Sequence, residues 1–396
     1  MKRKEKVLGA KKKKSGDVAP LSSRVLRFVI WLWHFLLALV PRKKFLERVE
    51  IKPVHIVYPN AILTCPKLVI IFFHGIVSRK DIAKAWKETW TSTTHINGEE
   101  PTFWIKDWLV KDMGENIQIL SLSYDANIYG VNDDVTNIAK NLVQSLVVKK
   151  SYENLWCAPI VLVGHSFGGL IIKSLMVEIK SCMNQKALND MDLAMKARSK
   201  YFYDNLIGVI FYGVPHEGGT KTFSTYFARI CQEMGFLNNT FSITQQSLLK
   251  NVQILDPKME QLSMEFDRIK ENLNIYAFVE GQPINKYEEI LVPSASAQRL
   301  SGNNYYKIED ASHLTICKPP TREHISYSKL VDCLKTFLKV RHQLQNCVIV
   351  QNDVSCCGRL NNAMTTLGSY VHNTFVISNI KHIGDKTLIF FFFVNS

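Results

Sequence analysis

The chain has 396 residues, of which 46% are hydrophobic, so it can bury a large core. This length and composition favour one α/β domain with appendages over two domains of equal size. The net charge is +14, but 13 of the 49 Lys and Arg residues and only two of the 35 acidic residues lie in the first 44 positions. The rest of the chain therefore lacks the charge of a nucleic-acid-binding domain, and we expect no nucleic-acid partner.

The cysteines argue against a disulfide framework and against a metal centre. Nine Cys residues are scattered along the chain without a Cys-x-x-Cys pair, as is typical of reduced thiols in a cytosol-like or organelle-matrix compartment. The stretch from His216 to Thr220 begins like a zinc-protease helix, but Thr220 stands where the second His is required. We therefore predict no metal and no cofactor.

Residues 1–44 form an N-terminal arm with a basic block followed by the apolar run Phe28–Val40. As a helix this run spans about 20 Å, less than the roughly 30 Å hydrocarbon core of a bilayer. Three interpretations stay open: an interfacial or marginally spanning anchor, a targeting sequence, and a helix packed on the following domain. Trp31 and Trp33, with basic residues on both flanks, favour binding at a membrane surface.

Strand and helix patterns alternate from position 51 onwards. Short β-branched and apolar runs predict strands, and apolar residues spaced by three or four positions predict helices. The predicted strands are Ile51–Tyr58, Lys67–Phe73, Ile117–Tyr124, Pro159–Val163, Leu206–Tyr212, Asn274–Val279, Ile290–Pro293 and Tyr305–Ile308. The predicted helices lie over Ser78–Trp90, Trp104–Met113, Asn137–Val148, Leu170–Met176 and Tyr327–Leu338, and helices of a cap insertion over about 220–272.

The stretch Gly164-His165-Ser166-Phe167-Gly168 lies between a predicted strand and a predicted helix. This Gly-x-Ser-x-Gly context is that of a nucleophile elbow, in which a Ser on a strained turn is exposed to substrate. Glycines at 164 and 168 suit the close approach of neighbouring chains. We predict that Ser166 is the nucleophile and that the backbone N–H of Phe167 is one oxyanion donor.

The turn His74-Gly75 follows the predicted strand Lys67–Phe73. A His-Gly turn at this place commonly shapes an oxyanion loop, so the N–H of Ile76 is the other predicted donor, with Val77 as its alternative. His74 is interpreted as a structural turn residue. Together with Gly75 it is predicted to form part of the pocket rim.

The loop after Leu206–Tyr212 contains Pro215, His216 and Glu217. Both titratable side chains are candidates for chemistry, but the loop follows directly on the strand after the nucleophile. In the Ser…acid…His order, the acid and the base come later in the chain. We therefore interpret residues 213–219, including Pro215 and His216, as pocket rim.

Two later strand ends supply the acid and the base. Glu280 follows Asn274–Val279, where its carboxylate can accept the Nδ1–H of an imidazole, and Asp267 and Asp310 are the alternative acids. His313 lies in the loop after Tyr305–Ile308, where a general base belongs.

Several stretches together resemble a known family: HGIVSRKDIAKAW, GHSFGGLIIKSL, GVIFYGVPHEGG, AFVEGQP and SHLTICKP. The chain is similar to the serine active site-containing lipase-like proteins, α/β-hydrolases related to the lecithin-acyltransferase-like and inositol-deacylase groups. The resemblance covers about Lys67 to Leu338. It implies a Ser/acid/His esterase acting on lipids, with members at mitochondrial and endoplasmic-reticulum membranes, and it aligns the family's strand-end carboxylate with Glu280.

These observations predict an α/β-hydrolase fold, with a mostly parallel sheet, helices on both faces and a helical cap insertion. The expected organisation is an arm over 1–44, the hydrolase domain over 45–340 and a tail over 341–396. The expected function is a membrane-associated serine esterase, lipase or acyltransferase acting on lipid acyl esters; a catalytically weak hydrolase-like scaffold or lipid-binding protein is the alternative. We expect a mitochondrial or endoplasmic-reticulum membrane location, with the cytoplasm as the alternative.

Overall fold

The computed structural model describes residues 52–77, 81–92, 100–126, 135–216, 260–270, 273–284 and 290–351, with two further strands at 374–383 and 386–394. The apolar run Phe28–Val40 and most of the predicted cap insertion lie outside these residues. Among the helices that are described, none combines the length and the hydropathy needed to cross a bilayer.

Seven of the described strands form one sheet, in the order β1-β3-β2-β4-β5-β6-β7. The strands are β1 Val54–Tyr58, β2 Leu68–Phe73, β3 Ile117–Leu122, β4 Ile160–His165, β5 Leu206–Tyr212, β6 Asn274–Glu280 and β7 Tyr305–Ile308. β1 pairs antiparallel with β3, and all the other pairings within this sheet are parallel. The carboxyl ends of the six parallel strands therefore meet at one edge of the sheet.

The α-helices that connect and flank these strands are α1 Ala85–Glu88, α2 Trp104–Asp107, α3 Leu109–Met113, α4 Val135–Leu142, α5 Phe167–Asn184, α6 Asp190–Asp204, α7 Ser294–Gln298 and α8 Ile325–Gln351. Short 3-10 segments lie at Ile82–Lys84 and Lys150–Leu155, a π-helical segment at Val143–Val147 extends α4, and residues 260–267 are helical. The predicted helix Trp104–Met113 is divided at Trp108 into α2 and α3. The closing helix α8 continues to Gln351.

The side chains of β2 show how the sheet is covered on both faces. Val69, Ile71 and Phe73 pack into a core with the helices α4 and α5. Leu68, Ile70 and Phe72 point the other way, into a core with α2, α3 and α8. All six are fully buried, as expected for a parallel strand between two helical layers. The predicted fold class, a mostly parallel sheet with helices on both faces, is confirmed.

One predicted strand does not form. Ile290–Pro293 has no sheet partner among the described residues, although Leu291 and Val292 are buried. The backbone N–H of Val292 donates instead to Oε2 of Glu280, with an N···O distance of 3.4 Å. The segment therefore covers the end of β6 instead of extending the sheet.

The last two described strands form a separate pair, β8 Thr374–Ile383 and β9 Lys386–Val394, which are antiparallel. β9 contains the apolar run Leu388–Val394.

Candidate active site

Ser166 lies on the sharp turn between β4 and α5. Its backbone has φ 52° and ψ −123°, a left-handed conformation that is unfavourable for a residue with a side chain. The Ser166 N–H donates to the carbonyl of Tyr212 at the end of β5, with an N···O distance of 2.9 Å. The neighbouring strand thus holds the turn in its strained conformation.

Gly168 lets the first turn of α5 pack against the end of β2. A Cβ at position 168 would lie 2.3 Å from the carbonyl oxygen of Phe73 and 2.6 Å from that of His74. Both of these atoms belong to the main chain, which cannot rotate away. Only glycine allows α5 to begin here, directly beside the His74-Gly75 turn.

Three buried side chains form a hydrogen-bonded chain at the carboxyl edge of the sheet. Oγ of Ser166 lies 2.9 Å from Nε2 of His313, and Nδ1 of His313 lies 2.6 Å from Oε1 of Glu280. Each of the three residues has at most 1% of its surface exposed. Because a carboxylate only accepts, Nδ1 carries the proton and Nε2 is left to accept the Ser166 hydroxyl proton. This is the arrangement of a nucleophile, a general base and an orienting acid.

The two alternative acids lie away from His313 and have other partners. Asp267 pairs with Arg299 and Lys270, at N···O distances of 2.8 and 2.7 Å. Asp310 pairs with His324, at 3.0 Å. Only Glu280, of the three carboxylates considered, contacts the imidazole of His313.

Gly213 belongs to the loop predicted as pocket rim, and it lies beside Glu280 and His313, a position that the sequence pattern did not assign to it. It has φ 53°, and its N–H donates to the carbonyl of Phe278 at 2.9 Å. A Cβ here would lie 3.1 Å from Oε1 of Glu280 and 3.2 Å from Nδ1 of His313. Glycine directly after β5 thus leaves room for the hydrogen bond between Glu280 and His313. A Gly directly after a buried strand is the signal that points to such a position.

A cavity of about 310 Å³ opens beside Ser166. Its wall contains Ser166 and also Gly75, Ile76 and Val77, the loop predicted to carry an oxyanion donor. Phe167, the other predicted donor, is the first residue of α5, where main-chain N–H groups point outward from the helix. The remaining lining is Asp81, Ala85, Glu88, Thr89, His165, His313, Leu314, Cys317 and Lys318.

His74 is fully buried behind this loop and fastened to Tyr124. Its Nδ1 lies 2.7 Å from the carbonyl of Gly75, and the N–H of Tyr124 donates to its Nε2 at 3.4 Å. The two rings stack at 4.1 Å, and the Tyr124 hydroxyl donates to the main-chain carbonyl of His74. Burial lowers the pKa of His74 to about 4, so the ring is neutral at pH 7 and serves as a structural clamp on the loop.

His165 connects the turn at Ser166 to the loop that carries His313. Its Nε2 lies 2.9 Å from the main-chain carbonyl of His313, so Nε2 is the protonated nitrogen. Burial, and next the neighbouring His313, lower the pKa of His165 to about 3. The residue before Ser166 is therefore a neutral donor that fixes the position of His313.

Pro215 and His216, predicted as pocket rim, are both buried. Among the described residues, neither ring nitrogen of His216 has a hydrogen-bond partner, and the ring packs edge-on against Phe211 at 4.6 Å. Burial, and next the nearby Lys173, lower the pKa of His216 well below its ordinary value. His216 thus lies in the core, and it makes no hydrogen bond to the side chain of Ser166, His313 or Glu280.

Metal ligation has no candidate cluster in the described part of the chain. No group of three or more His, Cys, Asp or Glu side chains is placed there to hold an ion.

Comparison with known proteins gives relatives of low identity. No protein-family model matches the chain. Protein SERAC1 of Danio rerio is 26% identical over 301 residues, which cover 72% of this chain and 41% of the relative. Protein SERAC1 of Homo sapiens is 23% identical over 302 residues, with 72% and 41% covered. The chain thus spans about two fifths of the length of the curated relatives it matches.

Solved structures of low identity also align with most of the chain. A lipase-esterase related protein from Clostridium acetobutylicum has 13% identity and a TM-score of 0.35, covering 72% of this chain and 99% of that one. The Bacillus licheniformis lipase BlEst2 has 11% identity and a TM-score of 0.37, covering 70% and 97%. The strand order, the elbow after β4 and the strand ends that carry Glu280 and His313 together give this chain the α/β-hydrolase fold.

Proposed function

We propose that this protein is a serine esterase or lipase, in which Ser166 is the nucleophile, His313 the general base and Glu280 the orienting acid. Support comes above all from the buried hydrogen-bonded chain of these side chains, with distances of 2.9 and 2.6 Å. The cavity beside Ser166 gives an ester access to the hydroxyl.

The first half of the proposed reaction forms an acyl-enzyme. Oγ of Ser166 attacks the ester carbonyl carbon while its proton moves to Nε2 of His313, and Glu280 stabilises the resulting imidazolium. The backbone N–H groups of Ile76 and Phe167 hold the oxyanion of the tetrahedral intermediate. His313 then returns the proton to the leaving alcohol oxygen as the C–O bond breaks.

The second half repeats these steps with a new nucleophile. Water, or an alcohol in an acyl transfer, attacks the acyl-enzyme while His313 takes its proton. The intermediate collapses to release the acid, or the new ester, and His313 returns the proton to Ser166. The same three residues thus serve hydrolysis and acyl transfer alike.

The substrate class we propose is a lipid acyl ester, and we propose that residues 28–40 hold the enzyme at a membrane surface. The first part rests on the resemblance to lipase-like proteins, the second on Trp31 and Trp33 between basic flanks. We expect wild-type chain to sediment with the mitochondrial or endoplasmic-reticulum membrane fraction and to resist a high-salt wash. Chain lacking residues 1–44 should become soluble, and unchanged sedimentation would contradict the anchor.

The catalytic proposal is tested by labelling the purified full chain with a fluorophosphonate probe. Wild type should be labelled, and Ser166→Ala should lose the label completely. Ser145→Ala is the matched control, because the Ser145 hydroxyl only bonds to the carbonyl of Asn141 on its own helix. Label that persists in Ser166→Ala would refute the nucleophile. Absence of label on folded wild type that still binds lipid would favour the scaffold or lipid-binding function.

The lipid substrate is then sought by comparing the lipids of cells that express wild type or Ser166→Ala. An ester that accumulates only with the variant is the expected substrate. Identical profiles in the presence of a labelled, active wild type would contradict a lipid substrate.

A further inference from the structure

Two exposed cysteines that are distant in sequence meet at the surface of the domain. Sγ of Cys65 lies 3.3 Å from Sγ of Cys157, across a sequence separation of 92 residues. Both are free thiols. Cys65 lies between β1 and β2, and Cys157 lies just before β4. Thiols in contact at this distance need only a small change in side-chain torsion to reach the roughly 2.05 Å of a disulfide bond.

The strands that follow the two cysteines are neighbours in the sheet. β2 pairs parallel with β4, with Val69 opposite Ile160, and the Val69 N–H donates to the carbonyl of Pro159 at 2.9 Å. The thiols therefore meet where both strands begin. Ser166 follows the other end of β4, about 20 Å away along the strand. A disulfide bond between these sulfurs would link the beginnings of β2 and β4, at the edge of the sheet opposite the cavity.

The backbone at Cys65 helps to place its sulfur. Cys65 has φ 51°, a left-handed conformation that residues other than glycine rarely adopt. Cys157 is held from its own side, because its thiol donates to the carbonyl of Asn154 at 3.0 Å. Burial, and next the bond to Cys65, raise the pKa of Cys157. Cys157 therefore keeps its proton more firmly than an ordinary thiol, and the Asn154 carbonyl engages its S–H, so we assign Cys157 to the second step of oxidation.

We propose that Cys65 and Cys157 are a reversible disulfide site, formed in the native protein by a small disulfide oxidant such as oxidised glutathione. Cys65 loses its proton to water, and its thiolate attacks one sulfur of oxidised glutathione. The glutathione S–S bond breaks, a mixed disulfide forms and one glutathione thiolate leaves. Cys157 then loses its proton to water and attacks the Cys65 sulfur. The second glutathione leaves as a thiolate, and both thiolates take up the two protons released, so that two thiols are oxidised and one disulfide is reduced.

The described cysteines include a control for this site. Cys182, Cys317 and Cys333 are buried, and burial raises the pKa of Cys317 and Cys333 to about 12. These thiols are poor partners for a soluble oxidant. Cys182→Ser changes a cysteine of the same domain and leaves the proposed pair intact.

The test uses the full chain, reduced and then equilibrated with oxidised glutathione under native conditions. Remaining thiols are alkylated, and the protein is digested without reductant for mass spectrometry. We expect one cross-linked peptide pair that joins Cys65 to Cys157 in wild type and in Cys182→Ser, and none in Cys65→Ser or Cys157→Ser. The oxidised wild type should melt several degrees higher than the reduced protein, and dithiothreitol should reverse the shift.

Three results would overturn the proposal. The first is that both thiols stay reduced and are found alkylated, or that Cys65 retains glutathione as a stable adduct. The second is that Cys65 pairs with another cysteine. The third is that the linked peptide forms only when near-ultraviolet circular dichroism shows loss of the native fold, or that it forms without any rise in Tm. Because Ser166 lies at the other end of β4, fluorophosphonate labelling should be equal in the reduced and the oxidised protein.

Discussion

His165 donates its Nε2–H to the main-chain carbonyl of His313, with an N···O distance of 2.9 Å. The residue before the proposed nucleophile therefore fixes the loop that carries the proposed base. The two rings lie 5.2 Å apart, and His165 is neutral because burial lowers its pKa to about 3. This contact joins the two halves of the site without entering the reaction.

Removing that donor should displace the base. We expect His165→Phe, which keeps a planar ring but loses the N–H, to lower kcat for ester hydrolysis by about 10- to 100-fold, because small misplacements of a reacting group are costly. The pH dependence of kcat should change with it, since the environment of His313 changes. A variant that folds with unchanged kcat and pH profile would show that the contact does not position His313.

Glu280→Gln separates the orienting role from the packing role of this side chain. The amide can donate to Nδ1 of His313 and so stabilises the wrong tautomer, in which Nε2 is protonated and cannot accept the Ser166 proton. We expect kcat to fall by about 10³- to 10⁴-fold with little change in fold. Asp310→Asn is the matched control, because Asp310 pairs with His324. Comparable losses in both variants would contradict the assignment of Glu280.

Acid should destabilise the protein through its buried histidines. Burial lowers the pKa of His74 to about 4, against 6.5 for the ordinary side chain. Between these values the unfolded chain binds a proton that the folded chain does not, so stability falls as pH decreases from about 6.5 towards 4. Each such histidine contributes up to about 1.4 kcal/mol per pH unit to this slope.

The measurement is urea unfolding at pH 7 and pH 5. His74→Gln should show a shallower loss of unfolding free energy on acidification than wild type. Tyr124→Phe is the control, because it removes the hydroxyl that donates to the His74 carbonyl and leaves the titrating ring in place. It should lower stability at both pH values and keep the wild-type slope. Equal slopes in all three proteins would contradict a titrating His74.

His216 is expected to be replaceable. Neither of its buried ring nitrogens has a partner in the described part of the chain, so His216→Leu removes a polar group without a described partner and fills a similar volume. We expect the unfolding free energy to rise by about 1 kcal/mol and fluorophosphonate labelling to stay at the wild-type level. The comparison is made at pH 8, where the ring is neutral. A large loss of labelling in a stable variant would indicate that His216 takes part in the chemistry.

Most strands could be predicted from the sequence, because each is a short apolar run that can be recognised without knowing its neighbours. Leu68–Phe73 and Leu206–Tyr212 are continuous apolar runs, which is what burial on both faces requires. Ile290–Pro293 has the same apolar character but bonds to Glu280, so its state depends on a partner that periodicity does not reveal. The direction of β1 is likewise set by its neighbour β3.

The arrangement of the candidate site was only partly predictable. Ser166, Glu280 and His313 could be selected from motif and chain order, because both follow the chain itself. The contact of His165 with the His313 carbonyl and the meeting of Cys65 with Cys157 could not be selected. Each joins segments far apart in the chain, and only the packed sheet brings them together.

The separations of the site residues along the chain bear on how activity arises during folding. Ser166 and His313 are 147 positions apart, and Glu280 and His313 are 33 apart. Closing such long loops is slow compared with forming helices and turns. A nascent chain that has just exposed the elbow from the ribosome still lacks Glu280 and His313, so the proposed esterase activity requires that β6 and β7 have first docked. Recovery of activity during refolding therefore reports the last steps of sheet assembly and not the early ones.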